Sequence, residues 1–82
     1  MTSLTKVEQA VLGVLASYAG EEVSGRELRG LLSNRGFRRS APALVFTMMN
    51  LAEKGLIECR EEVMVIDGVE VRDRYYRLVE GG

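Results

Sequence analysis

Apolar residues return every third or fourth position near the start of the chain. Val7, Ala10, Val11, Val14, Leu15 and Tyr18 fall on one face of a helix running from Lys6 to about Tyr18. Thr5 is the expected N-cap: in Thr5-x-x-Glu8 the hydroxyl and the carboxylate satisfy each other's free N–H groups. Gly20 marks the stop. A second stripe, Leu28, Leu31 and Leu32, follows the capping box Ser24-x-x-Glu27 and predicts a helix ended by Gly36. Val23, just ahead of that cap, reads as a very short strand able to extend a sheet edge. A third helix opens at Ser40, carries the one proline, Pro42, in its first turn where a missing N–H is harmless, and runs to Lys54. Its inward face is Leu44, Val45, Met48, Leu51 and Ala52, and Lys54 suits the negative end of the helix dipole. Ala43, Phe46, Thr47, Asn50 and Glu53 point elsewhere, and core packing is expected to claim at least one of Phe46 and Met49. In the preceding linker, Phe37 is expected to tuck into the core while the arginines around it stay solvated.

After Gly55 the period changes from helical to alternating. Two strand-like runs, Ile57 to Ile66 and Val69 to Leu78, flank Asp67-Gly68, a pair suited to a two-residue hairpin whose turn positions both need positive φ. Such a loop pairs Ile66 with Val69, then outward Val63 with Arg72, Glu61 with Arg74, Cys59 with Tyr76 and Ile57 with Leu78. Ile57, Cys59, Tyr76 and Leu78 then share the core face, whereas Met64, Ile66, Val69 and Val71 fall on the opposite one. Parity does not switch within a regular strand, so either a bulge lies near Glu61-Glu62 or the tip exposes an apolar patch. Each strand of about ten residues spans roughly 33 Å. Three helices followed by a two-stranded hairpin give an α+β winged helix-turn-helix, with residues 1–82 forming one domain. The closing Glu80-Gly81-Gly82 is expected to fray.

Charge alters this picture through its placement. The net charge is −1, but residues 24–41 hold Arg26, Arg29, Arg35, Arg38 and Arg39 against Glu27 alone. Residues 58–80 hold four arginines against seven acids. The chain has no histidine and one cysteine, which removes the commonest general base, the usual zinc ligand sets and any internal disulfide. Cys59 is read as a small buried residue rather than a redox thiol. Glu61 and Glu62 are strand neighbours pointing to opposite faces, so they do not converge on a substrate. No catalytic constellation, cofactor site, signal peptide or membrane-length apolar run is found, and a cytoplasmic protein is expected.

Three stretches resemble the PadR family of bacterial transcriptional regulators: Val11-Leu12-Gly13-Val14-Leu15 with Ser24-Gly25-Arg26-Glu27-Leu28; Ser40-Ala41-Pro42-Ala43-Leu44 through Leu51-Ala52-Glu53-Lys54-Gly55-Leu56-Ile57; and Arg74-Tyr75-Tyr76-Arg77-Leu78. The chain departs from the family at Val45 and Phe46, where an aromatic and a proline are usual, and at Met49 and Asn50, where basic residues are common. The family's dimer is made by helices beyond the wing, and the sequence here ends with the wing. The resemblance implies a DNA-binding regulator of transcription, expected to repress, with the third helix in the major groove and a homodimer on double-stranded DNA.

Read on that scaffold, Arg38, Arg39 and Ser40 meet phosphate at the start of the third helix. Ala43, Thr47 and Asn50 face base edges, since asparagine pairs with adenine and the methyls touch thymine. Arg26 and Arg29 reach the backbone, as does Arg72 on the wing. Arg74 is expected to pair with Glu61 across the strands and Arg72 to be freer. The wing tip (Met64, Ile66, Val69, Val71) or Tyr75 is the expected dimer contact. A small-molecule effector would need a pocket between subunits, lined by Met48, Met49 and Tyr75. The rival reading is a winged-helix protein–protein interaction module that does not bind DNA. The pI of about 5.4, the acidic wing, the apolar tip and the Phe46/Met49 pair motivate it.

Overall fold

The computed structural model describes residues 3–79. The elements are α1 (Lys6–Ser17), β1 (Val23–Ser24), α2 (Gly25–Asn34), α3 (Ala41–Glu53), β2 (Ile57–Ile66) and β3 (Val69–Leu78). They form three helices and an antiparallel sheet of order β1-β3-β2, the winged-helix arrangement. The expectation for Glu80-Gly81-Gly82 lies outside the described residues.

Local chemistry explains most boundaries. Thr5 Oγ1 accepts the Glu8 N–H at 3.1 Å and Glu8 Oε1 accepts the Thr5 N–H at 2.9 Å, a complete capping box. α1 ends slightly before its expected stop: Tyr18 caps it, and the left-handed turn begins at Ala19 (φ 53°) before Gly20. α2 and α3 both close by the Schellman pattern. After α3, Leu56 N–H reaches the Leu51 carbonyl and Gly55 N–H the Ala52 carbonyl, with Gly55 at φ 75°. Leu56 then packs against the core, as Phe37 does after α2.

The box expected at Ser24 is only half formed. Ser24 Oγ accepts the Glu27 N–H at 3.1 Å, but the Glu27 carboxylate accepts the Tyr18 hydroxyl at 3.2 Å. Glu27 thus ties the end of α1 to the start of α2 instead of closing its own cap.

Leu15, Leu28, Leu32, Met48 and Leu51 have no exposed surface and interlock the three helices with Val23, Ile57 and Tyr76 of the sheet. Each such side chain contributes about 1.5–3 kcal/mol relative to an exposed one. Val23 pairs with Tyr76, so the two-residue β1 seals the sheet's core face. Among the described residues, one charged side chain enters this interior. Glu8 is buried, and its Oε2 accepts from Lys54 Nζ at 2.9 Å, joining the first turn of α1 to the cap of α3.

The hairpin keeps the expected register from Ile57↔Leu78 to Ile66↔Val69 without a bulge. Asp67 (φ 52°) and Gly68 (φ 77°) form its turn. An unbroken ladder leaves the apolar tip uncovered: Val63, Met64, Val65, Ile66 and Val69 are exposed, Val65 to 71%. Val71 is half-buried. Cys59 corrects the sequence expectation: it lies opposite Tyr76 on the core face, yet is exposed. β2 is the outer strand, so beyond Ile57 it outruns the helices that cover Tyr76.

Candidate nucleic-acid interface

Positive charge is divided between two unlike settings. On the wing every arginine is matched by a carboxylate. Arg60 grips Glu22 through Nε (2.8 Å) and Nη2 (3.1 Å), and Arg77 holds Glu58 at 2.7 Å. The Glu22 carboxyl is held below its usual range chiefly by the hydrogen bond from Arg60. Arg74 reaches Glu61 at 3.4 Å, the expected cross-strand pair. Arg72 was expected to be freer but is not: it holds Glu70 at 2.9 Å and approaches Glu61 at 3.7 Å. Its own strand supplies that partner, because residues 70 and 72 point to the same side of the pleat.

Among the described residues, Arg26, Arg29, Arg35, Arg38 and Arg39 make no ion pair. Four of them converge. Arg26 and Arg29 of α2 face Arg38 and Arg39 of the linker across a groove of about 380 Å³ completed by Gly30 and Ser33. A second groove, about 530 Å³, continues from Arg26 and Arg29 past Ala41 and Val45 to Arg72 and Arg74 at the wing root. Arg35 stands apart, its Nη1 lying 3.3 Å from where a Cβ on Gly13 of α1 would sit. A concave surface lined by unpaired guanidinium groups raises the local concentration of anions and offers each oxyanion forked donors.

The start of α3 adds less than its sequence suggested. Ser40 Oγ accepts the Ala43 N–H at 3.3 Å, and Pro42 has no N–H. Leu44 N–H is already bonded to the Ser40 carbonyl. Ala41 N–H and the Ser40 hydroxyl hydrogen are left, so the arginines supply most of any grip on phosphate.

The outer side of α3 also differs from expectation. Ala43, Thr47 and Asn50 are half-buried. Thr47 and Asn50 line a cleft against Thr5 and Glu8 of α1, and Thr47 Oγ1 donates to the Ala43 carbonyl at 3.1 Å. The outermost ridge is Pro42, Phe46 and Met49, with Phe46 67% and Met49 55% exposed. Neither joins the core, contrary to the sequence reading, because Leu44, Met48 and Leu51 already fill the inward face.

The residues named for an effector pocket between subunits have unlike settings within one chain. Met48 is sealed inside, Met49 is exposed on α3, and Tyr75 is half-buried with the Arg60 guanidinium 4.7 Å above its ring. Sequence reasoning did not foresee this cation–π contact, nor the reach of Arg60 to Glu22. Among the described residues no helix is long and apolar enough to cross a membrane.

No family model matches the sequence, and no curated protein matches it. Among solved structures, the crystal structure of Bacillus subtilis PadR in complex with operator DNA matches with a TM-score of 0.69 and 19% sequence identity. The match covers 93% of this chain and 41% of that one, so this chain shares the winged-helix fold of that PadR and spans less than half its length.

Proposed function

We propose that this chain is a PadR-like, DNA-binding regulator of transcription that acts as a repressor. The observation that carries the reading is the segregation of charge: four convergent arginines on α2 and the linker stay unpaired while every wing arginine is neutralised. Likeness in fold to a PadR solved with operator DNA supports it. In this reading α3 enters the major groove, while Arg26, Arg29, Arg38, Arg39 and the Ser40 hydroxyl hold phosphates. Arg72 contributes only if it leaves Glu70. Ala43, Thr47 and Asn50 act from the flank of α3.

The test is fluorescence anisotropy on a random-sequence duplex, titrated with salt. Four phosphate contacts give a slope of about −3.6 in log K against log salt. No binding at low salt would refute the reading and favour an interaction module, which the exposed wing tip also suits.

A two-fold dimer on a palindromic site is part of the same proposal. The wing tip is favoured over Tyr75 as its contact, because Arg60 already roofs Tyr75. Sedimentation at high concentration should give a dimer that Ile66→Glu with Val69→Glu converts to monomer. A wild-type monomer would remove the tip from this role.

A further inference from the structure

We infer that Phe46 and Met49 are specificity residues that recognise thymine methyl groups in the major groove. The inference rests on the DNA-binding reading and deepens it. Phe46 and Met49 are the only large apolar side chains that stand exposed on the described helices; the other exposed ones lie on the wing. With Pro42 they form one ridge along α3, spaced four and three residues apart, and the ridge carries no hydrogen-bonding side chain before Glu53.

The neighbouring polar groups stand on the flank of this ridge, not on it. Thr47 spends its hydroxyl on the Ala43 carbonyl, and Asn50 lies half-buried beside α1. The ridge itself therefore presents hydrocarbon where a hydrogen-bonding reader would present donors. Charge complementarity names the occupant: the unpaired Arg39 lines the same cleft as Phe46, and Arg26, Arg29 and Arg38 lie beyond it. A polyanion must thus also offer an apolar feature. In the major groove that feature is the C5-methyl of thymine, which alone among the base edges is hydrocarbon.

The test compares short duplexes of alternating adenine–thymine with the same duplexes carrying uracil for thymine, which removes only the methyl groups. Wild-type protein should bind the thymine duplex more tightly, by about fourfold for each methyl buried. Phe46→Ala with Met49→Ala, both at exposed positions, should bind both duplexes alike and keep the salt dependence of the wild type. Equal wild-type affinity for the two duplexes, with binding still steeply salt-dependent, would overturn the inference and leave the DNA-binding reading intact. The inference also falls if the double variant keeps the thymine preference. No binding to either duplex at low salt would overturn both readings.

Discussion

Glu8→Ala is expected to lower the melting temperature by about 10 °C, measured by circular dichroism at neutral pH. The carboxylate completes the Thr5 capping box and accepts from Lys54, and it is nearly closed to solvent. Its removal frees the Thr5 N–H and strands the Lys54 ammonium, itself only partly exposed. A cap of this kind is worth about 1 kcal/mol, and a charged hydrogen bond about 1.5–3 kcal/mol before solvent screening. A total near 2 kcal/mol shifts a domain of this size by about 8–16 °C. The pH dependence has a definite sign. Hydrogen bonds from the Thr5 backbone and then Lys54 hold the Glu8 carboxyl below its ordinary value, against the opposing effect of burial. Its contribution is therefore fully present above the unfolded carboxyl pKa of about 4.3 and is lost as pH falls through the lower folded value. Glu8→Gln keeps the cap but not the charge, so its melting temperature should fall less between pH 5 and 3 than that of the wild type. Parallel curves would show that the Glu8 charge adds nothing through either partner.

The second large effect concerns Arg38 and Arg39. Replacing both by alanine should weaken binding to a random-sequence duplex roughly 60-fold at 0.1 M salt and reduce the salt slope by about 1.8. The two side chains are exposed and make no ion pair among the described residues, so thermal stability should stay within about 0.5 kcal/mol. An Asn50→Ala variant serves as the contrast, expected to lose affinity only for a specific site. Unchanged binding by the double arginine variant would disconnect the groove from DNA.

The elements whose causes are local could be read from the sequence. Thr5 and Ser40 cap where their spacing said they would, and Asp67-Gly68 sets a register that holds for ten pairs. With that register, strand parity left a choice between a bulge near Glu61-Glu62 and an exposed apolar tip, and the unbroken ladder decides for the tip. Partnerships between distant residues could not be read. Lys54 and Glu8 meet across 46 positions, and Arg60 reaches Glu22 across 38, over the Tyr75 ring. No periodicity encodes where a long side chain ends. The candidate site divides along the same line. The arginine cluster was visible as composition, whereas the burial of Thr47 and Asn50 and the exposure of Phe46 and Met49 depend on how α3 is rotated against α1.

Among the described residues, the sheet order β1-β3-β2 leaves one long side of β2 without a neighbour. Near its base that side is guarded by Glu58, Arg60 and Glu62, but Val63-Met64-Val65-Ile66 carries neither charge nor proline. An open, uncharged, β-branched edge is a template for any extended chain. Without a partner on its tip the protein has a built-in route to insoluble assembly. A charge at Val65 would act as a gatekeeper, raising solubility without touching the helices that fold the domain.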